Sequence, residues 1–186
     1  MDAIEHHLPK ANIYIIRQYV KDTEGVLEYF RVHLNWTREG SPKNPEYCSM
    51  GVDYLASSGK LRVGQKFDSL ILKLMNQIND TLHVIMNSCF AMFYGPDVEL
   101  PYRRVTTSSL DPDQPILTIF YGDPSIVKLK DIDSLEEFDF LLEEGDLFIM
   151  PERCQQSYLT AIVKANQNTS SRLSLTFRRF NDGVFY

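Results

Sequence analysis

The segment from Arg172 to Arg178 reads RLSLTFR and alternates polar and apolar residues without interruption. Because successive side chains of a β-strand point to opposite faces, the two arginines and two hydroxyl residues share one face, and the three apolar residues share the other. Two guanidinium groups on one face can bind a carboxylate or phosphate in a bidentate way. The same alternation is also typical of an amphipathic edge strand with its polar face in water, and periodicity alone favours this simpler interpretation.

Six more short runs typical of β-strands precede this segment. Turn sequences separate them, including GPD at 95–97, DPD at 111–113, GDP at 122–124 and EGD at 144–146. We expect the strands at about 84–94, 115–121, 125–130, 138–142, 146–150, 157–164 and 172–180.

The first half of the chain carries the helical patterns. Asp22 and Thr23 are good N-caps for a helix that extends towards residue 35, and a stronger amphipathic helix is expected over about 67–82. The sequence between them, about 38–64, is rich in turn residues and predicts loops. Helices followed by seven or more short strands predict an α+β domain built on a β-sandwich or jelly roll.

Length and composition favour one globular domain over 1–186. Its N-terminal helical part covers about 1–82 and its jelly-roll core about 83–180. With 44% hydrophobic residues the chain is too apolar for disorder, and it has no apolar run of membrane-spanning length, so no membrane partner is expected. Three scattered cysteines and the lack of a secretory signal favour a cytoplasmic location. The net charge of −6 disfavours a strongly basic nucleic-acid binder but leaves a local basic patch open.

Four segments, taken in order, resemble the AlkB family of Fe(II)- and 2-oxoglutarate-dependent nucleic-acid demethylases. They are NSCFAMFYGPDVELPYRR (87–104), QPILTIFYG (114–122), FLLEEGDLFIMPERCQQSYLTAIVK (140–164) and RLSLTFRR (172–179). The resemblance covers about 34–180 and is greatest to the AlkB-like domains in replicase polyproteins of plant RNA viruses. It implies a double-stranded β-helix, or jelly roll, preceded by two helices.

The resemblance also implies that the iron ligands are missing. The family's His-x-Asp pair follows a Leu-Pro-aromatic sequence, which places Arg103 and Val105 at its two ligand positions, and Thr160 stands at the position of the distal histidine. Arginine and valine offer no lone pair to a metal, and one threonine oxygen cannot hold iron alone. We therefore expect no metal and no catalytic residues.

Several residues of the family's co-substrate site are retained. By resemblance, Arg172 corresponds to the arginine that binds the far carboxylate of 2-oxoglutarate, Arg178 to the second arginine of that motif, and Tyr94 to the co-substrate tyrosine, whose asparagine partner is replaced by Met92. We expect no cofactor, except that 2-oxoglutarate or another anion could bind without iron. Arg103 would then bring a fixed positive charge to the position of the metal.

Three functions remain open at this stage. The first is a pseudoenzyme in an RNA virus, acting in the host cytoplasm as a module that binds RNA or a protein. Its possible nucleic-acid contacts are Arg103, Arg104 and Arg153. The second is an active demethylase whose metal ligands come from a different set: Asp97, Glu99, Glu152 or Cys154. The third is a protein-interaction domain that does not bind nucleic acid.

Overall fold

The computed structural model describes residues 2–56, 58–104 and 109–181. Within these ranges it has three helices: α1 (Val26–His33), α2 (Ser69–Leu82) and the single turn α3 (Cys154–Ser157). The strands of the same ranges are β1 (Ile4–His7), β2 (Asn12–Ile16), β3 (Glu46–Gly51), β4 (Tyr54–Leu55), β5 (Leu61–Arg62), β6 (Ser88–Tyr94), β7 (Leu100–Arg103), β8 (Ile116–Gly122), β9 (Ser125–Asp131), β10 (Glu137–Leu142), β11 (Leu147–Met150), β12 (Tyr158–Lys164) and β13 (Arg172–Arg178).

Two antiparallel sheets form a jelly roll. The large sheet has the order β1-β2-β11-β8-β13-β6-β3, and the small sheet has the order β10-β9-β12-β7. Buried apolar side chains of both sheets, such as Phe120 and Phe148 from the large sheet and Leu129 from the small one, fill the space between them. The expected α+β class and jelly-roll architecture are confirmed: from β6 to β13 the chain crosses between the two sheets at every step except from β9 to β10, and the sheets enclose the cluster between them.

Strand β13 lies in the middle of the large sheet, between β8 and β6, and all seven of its residues are buried. The interpretation of this segment as an edge strand with its polar face in water is therefore wrong. The hydroxyls on that face have partners on the flanking strands: Ser174 Oγ lies 3.3 Å from the Tyr94 hydroxyl, and Thr176 Oγ1 lies 3.2 Å from Thr118 Oγ1. The polar face of β13 thus lines the interior between the two sheets.

Helices α1 and α2 cover the opposite face of the large sheet. Phe30 of α1 and Ile71 of α2 pack in one cluster with Leu173, Leu175 and Phe177 of β13. Burial of these side chains against the sheet is the main source of stability for both helices.

The ends of the helices reflect their capping residues. The carboxylate of Asp68 accepts hydrogen bonds from the backbone amides at the start of α2, as an N-cap residue should. The first helix begins at Val26, four residues later than Asp22, because Gly25 precedes it with a left-handed φ of 71° that helix geometry does not accommodate. No helix among the described residues has the length and apolar character to cross a membrane.

The N-terminal part of the chain contributes strands that the sequence did not predict. Strand β2 pairs with β11, and its residues Ile13, Ile15 and Ile16 are buried in the sandwich. Part of the segment expected as loop forms β3, the edge strand beside β6. Pairing with distant strands, rather than a local pattern, defines these short strands.

Candidate anion site

Two of the three positions that correspond to iron ligands lie directly opposite each other. Arg103 ends β7 and pairs in register with Thr160 of β12. Arg103 lies between the expected strands at 84–94 and 115–121, yet it belongs to β7, and its side chain turns inward with Nη2 3.7 Å from Met92 Sδ. Thr160 is 8% exposed, and its Oγ1 has no hydrogen-bond partner. The third position, Val105, lies outside the described residues.

The described residues do not fit an iron centre. A guanidinium group cannot donate a lone pair, and the facing threonine offers one weak oxygen. Across residues 2–56, 58–104 and 109–181, no three His, Cys, Asp or Glu side chains are grouped as a metal site would require.

The alternative ligands considered from the sequence lie in unsuitable surroundings. Asp97 is exposed beside Lys164 Nζ at 3.3 Å, and Glu99 accepts a hydrogen bond from the Lys164 amide. Burial raises the pKa of the Cys154 thiol to about 12, so it stays protonated, and Glu152 is exposed. No three of these four groups converge within the described part of the chain.

Arg178 points into the same interior as Arg103. It is 8% exposed, its guanidinium carbon lies 5.8 Å from the centroid of the Phe90 ring, and its Nε has no hydrogen-bond partner. Burial lowers its pKa to about 10, and the positive charge of Arg103 acts in the same direction. Burial also lowers the pKa of Arg103. Two desolvated cations therefore lie near each other.

The interior arginines have no acidic partners in the described part of the chain. Arg103, Arg172 and Arg178 make no ion pair there, whereas exposed arginines are commonly paired, for example Arg38 with Glu46 and Arg153 with Asp113. A buried charge without a counter-ion costs several kcal/mol. An anion bound between the sheets would offset that cost, so the geometry favours an anion site.

Arg172 is held by groups of the protein itself. It is 1% exposed, its Nη2 donates to the Val98 carbonyl, its Nη1 lies 3.5 Å from Ser125 Oγ, and its guanidinium carbon lies 5.1 Å from the centroid of the Tyr94 ring. Only its Nε lacks a partner. Arg172 and Tyr94, two residues expected at the co-substrate site, are therefore adjacent, but protein acceptors already use much of the hydrogen-bonding capacity of Arg172.

A pocket of about 240 Å³ opens beside Arg103. Tyr47 and Phe90 stack within it with their ring centroids 5.4 Å apart, and the Arg62 guanidinium covers the Tyr47 ring at 4.3 Å. No sequence pattern singled out Tyr47 or Arg62, because both lie in the stretch expected to be loop. Tertiary pairing of β3 and the hairpin β4–β5 brings them to the pocket.

The three predicted nucleic-acid contacts occupy different environments. Arg103 faces the interior, Arg104 is exposed, and Arg153 is bound through its Nη2 to Asp113 at 2.7 Å on the surface. Arg103 lies near Arg178, whereas Asp113 neutralises the charge of Arg153. A role for these residues in nucleic-acid binding stays a prediction.

The fold has a counterpart among solved structures. No family model and no curated protein matches the sequence. The structure of OsALKBH1, an AlkB homologue, is similar with a TM-score of 0.67 and 14% identity over 95% of this chain and 100% of that chain. At this identity the likeness concerns the fold alone. The protein therefore has an AlkB-like fold.

Proposed function

We propose that the protein is a catalytically inactive AlkB-like domain that binds single-stranded RNA, holding an anionic group between its two sheets without iron. The observation that carries this proposal is the pair Arg103 and Arg178, which are turned into the interior with no acidic partner in the described residues. Iron chemistry at this place requires uncharged imidazole and carboxylate ligands, which a guanidinium cannot replace.

The pocket chemistry supports one nucleotide as the bound unit. A guanidinium matches a phosphate in geometry and charge. The apolar side chains of Met92, Leu100 and Pro101 line the pocket beside Arg103 and offer a surface for a base. The volume of 240 Å³ lies below the roughly 300–1,000 Å³ of drug-sized sites, which favours a single base or phosphate over a longer segment.

RNA is favoured over a protein partner by the position of the charge. Arg103 lines a pocket, where a flexible strand can insert one nucleotide, rather than a flat exposed surface, and Arg178 is buried nearby. The viral origin and the host cytoplasm follow from the resemblance to viral AlkB-like domains and form part of the same proposal. An RNA ligand is compatible with the net charge of −6, because a few interior arginines suffice to bind one nucleotide.

The test is a fluorescence-anisotropy titration of a labelled 12-nucleotide single-stranded RNA in the presence of EDTA. We expect saturable binding, a loss of about ten-fold in Arg103→Met, which corresponds to one charge-assisted contact, and no loss in Lys128→Met. Lys128 is a suitable control because it lies on the outer face of the small sheet, paired with Asp139. Absence of binding, or equal losses in both variants, would contradict the proposal and favour a protein-interaction domain.

A further inference from the structure

The carboxylate of Glu39 lies between two cations beside the pocket that Arg103 lines. Its Oε1 accepts a hydrogen bond from Lys60 Nζ, and its Oε2 accepts one from Arg62 Nη2 at 2.7 Å. Each oxygen is therefore bound by a different cation. A backbone phosphate of a nucleic acid also presents two anionic oxygens, so the same pair of cations suits it. We call Lys60 and Arg62 the mouth site.

Arg62 is positioned by contacts that do not involve Glu39. Its guanidinium carbon lies 4.3 Å from the centroid of the Tyr47 ring, and its Nη1 donates a hydrogen bond to the Tyr47 hydroxyl. A donor that is already held in place loses little conformational entropy when it binds a ligand. Arg62 would therefore stay in position if another anion replaced the carboxylate.

Glu39 belongs to a different segment of the chain from the cations that it binds. It lies in the loop 38–45 between α1 and β3, whereas Lys60 and Arg62 belong to the hairpin β4–β5. The side chains of Lys60 and Glu39 are 61% and 35% exposed, so water and salt compete for their charges. Rotation of the Glu39 side chain into solvent therefore has a small cost.

The charges at the pocket favour an incoming anion. Among the described residues that line it, Arg62 and Arg103 are positive and Glu39 alone is negative. Burial lowers the pKa of Arg103, and the charge of Arg62 acts in the same direction, so the two guanidinium groups lie within electrostatic reach of each other. One carboxylate cannot neutralise the mouth site and Arg103 together.

We propose that the mouth site binds the backbone phosphate next to the one held by Arg103, and that Glu39 occupies this phosphate site in the RNA-free protein. This inference rests on the proposed function, to which it adds a second phosphate contact and a residue that competes with RNA. One phosphate replaces one carboxylate, so the charge of the mouth site does not change on binding. Its contribution to RNA affinity and to salt dependence is therefore small while Glu39 is present.

The test is an anisotropy titration of the labelled 12-nucleotide RNA in EDTA at several salt concentrations. Glu39→Gln should bind RNA about five-fold more tightly than the wild type, the equivalent of one exposed ion pair. Its plot of log K against log salt concentration should be steeper by about 0.7, the value for one phosphate of a single strand. Adding Arg62→Met to Glu39→Gln should remove most of this gain, because one phosphate-binding cation is then lost.

Glu46→Gln is a matched control. The carboxylate of Glu46 also binds two basic side chains, Arg31 and Arg38, one through each oxygen. Glu46 does not line the pocket, and it lies on the opposite face of β3 from its neighbour Tyr47. This substitution removes the same charge and should keep the affinity and the salt dependence of the wild type. Thermal unfolding confirms that the variants are folded.

The outcomes separate this inference from the proposed function. If the wild type binds RNA and Arg103→Met weakens it, equal affinities of Glu39→Gln and Glu46→Gln would overturn the mouth site alone. Weaker binding by Glu39→Gln than by the wild type would do the same, because Glu39 would then assist RNA binding instead of competing with it. Absence of RNA binding by the wild type and by every variant would contradict the proposed function and the mouth site together.

Discussion

Replacing Arg178 with methionine is expected to stabilise the anion-free protein. Burial lowers the pKa of Arg178 from 12.5 to about 10, which corresponds to roughly 3 kcal/mol at 1.36 kcal/mol per pKa unit. Because the folded state holds this proton less tightly than the unfolded state, the cost is fully present at pH 7 and is relieved only as the pH rises from about 10 to 12.5. Methionine has a similar length and no charge, so the variant should gain about 1–3 kcal/mol.

The same replacement should abolish the response of the protein to an anion. For the wild type, a ligand at 100 times its Kd adds about 2.7 kcal/mol to the free energy of unfolding. The assay is urea unfolding at pH 7 with EDTA, in low chloride, with and without inorganic phosphate. We expect phosphate to stabilise the wild type and to leave Arg178→Met unchanged.

The control is Arg104→Met. Arg104 is exposed next to Arg103, so this substitution removes one positive charge from the surface instead of from the interior. It should keep the stability and the phosphate response of the wild type. If Arg178→Met loses stability in the absence of anion, or retains the phosphate response, the inference of an unpaired interior charge is incorrect.

Three other perturbations test separate parts of the structure. Asp146→Ala should lower the free energy of unfolding by about 2–4 kcal/mol, because the buried carboxylate binds Arg17 and two backbone amides; an unchanged urea midpoint would disprove this role. Basic neighbours, Arg62 first, lower the pKa of Glu39 to about 2, so its stabilisation is present above pH 4.5 and is lost as the pH falls towards 2. Glu39→Gln should therefore lose less stability than the wild type between pH 6 and 3, and identical pH curves would contradict this. Burial raises the pKa of the three cysteine thiols, Cys48, Cys89 and Cys154. Ellman's reagent should therefore label them slowly in the native protein at pH 8 and fully in urea. Rapid labelling of the native protein would show that at least one thiol is accessible.

The pattern of the C-terminal segment was sufficient to assign its two faces. Alternation placed Arg172 and Arg178 on one face of a strand and Leu175 on the other, and the structure has this arrangement. Turn sequences separated the later strands well enough to predict a jelly roll. These features are local, because the period of a strand and the chemistry of a turn depend only on neighbouring residues.

Tertiary structure decided where the two faces of β13 lie and which residues contact them. Nothing in the spacing of the sequence shows that β13 is central and buried, that β2 joins the same sheet, or that Arg103 pairs with Thr160. Arg103 and Thr160 are far apart in the chain, and strand pairing between distant segments depends on burial of the whole core. The sequence by itself determined the alternating faces of β13 and placed Arg103 and Thr160 at the positions where the resemblance expects iron ligands. Only the folded chain turned Arg103 and Arg178 into one interior without acidic partners among the described residues, because burial is a property of the assembled sheets.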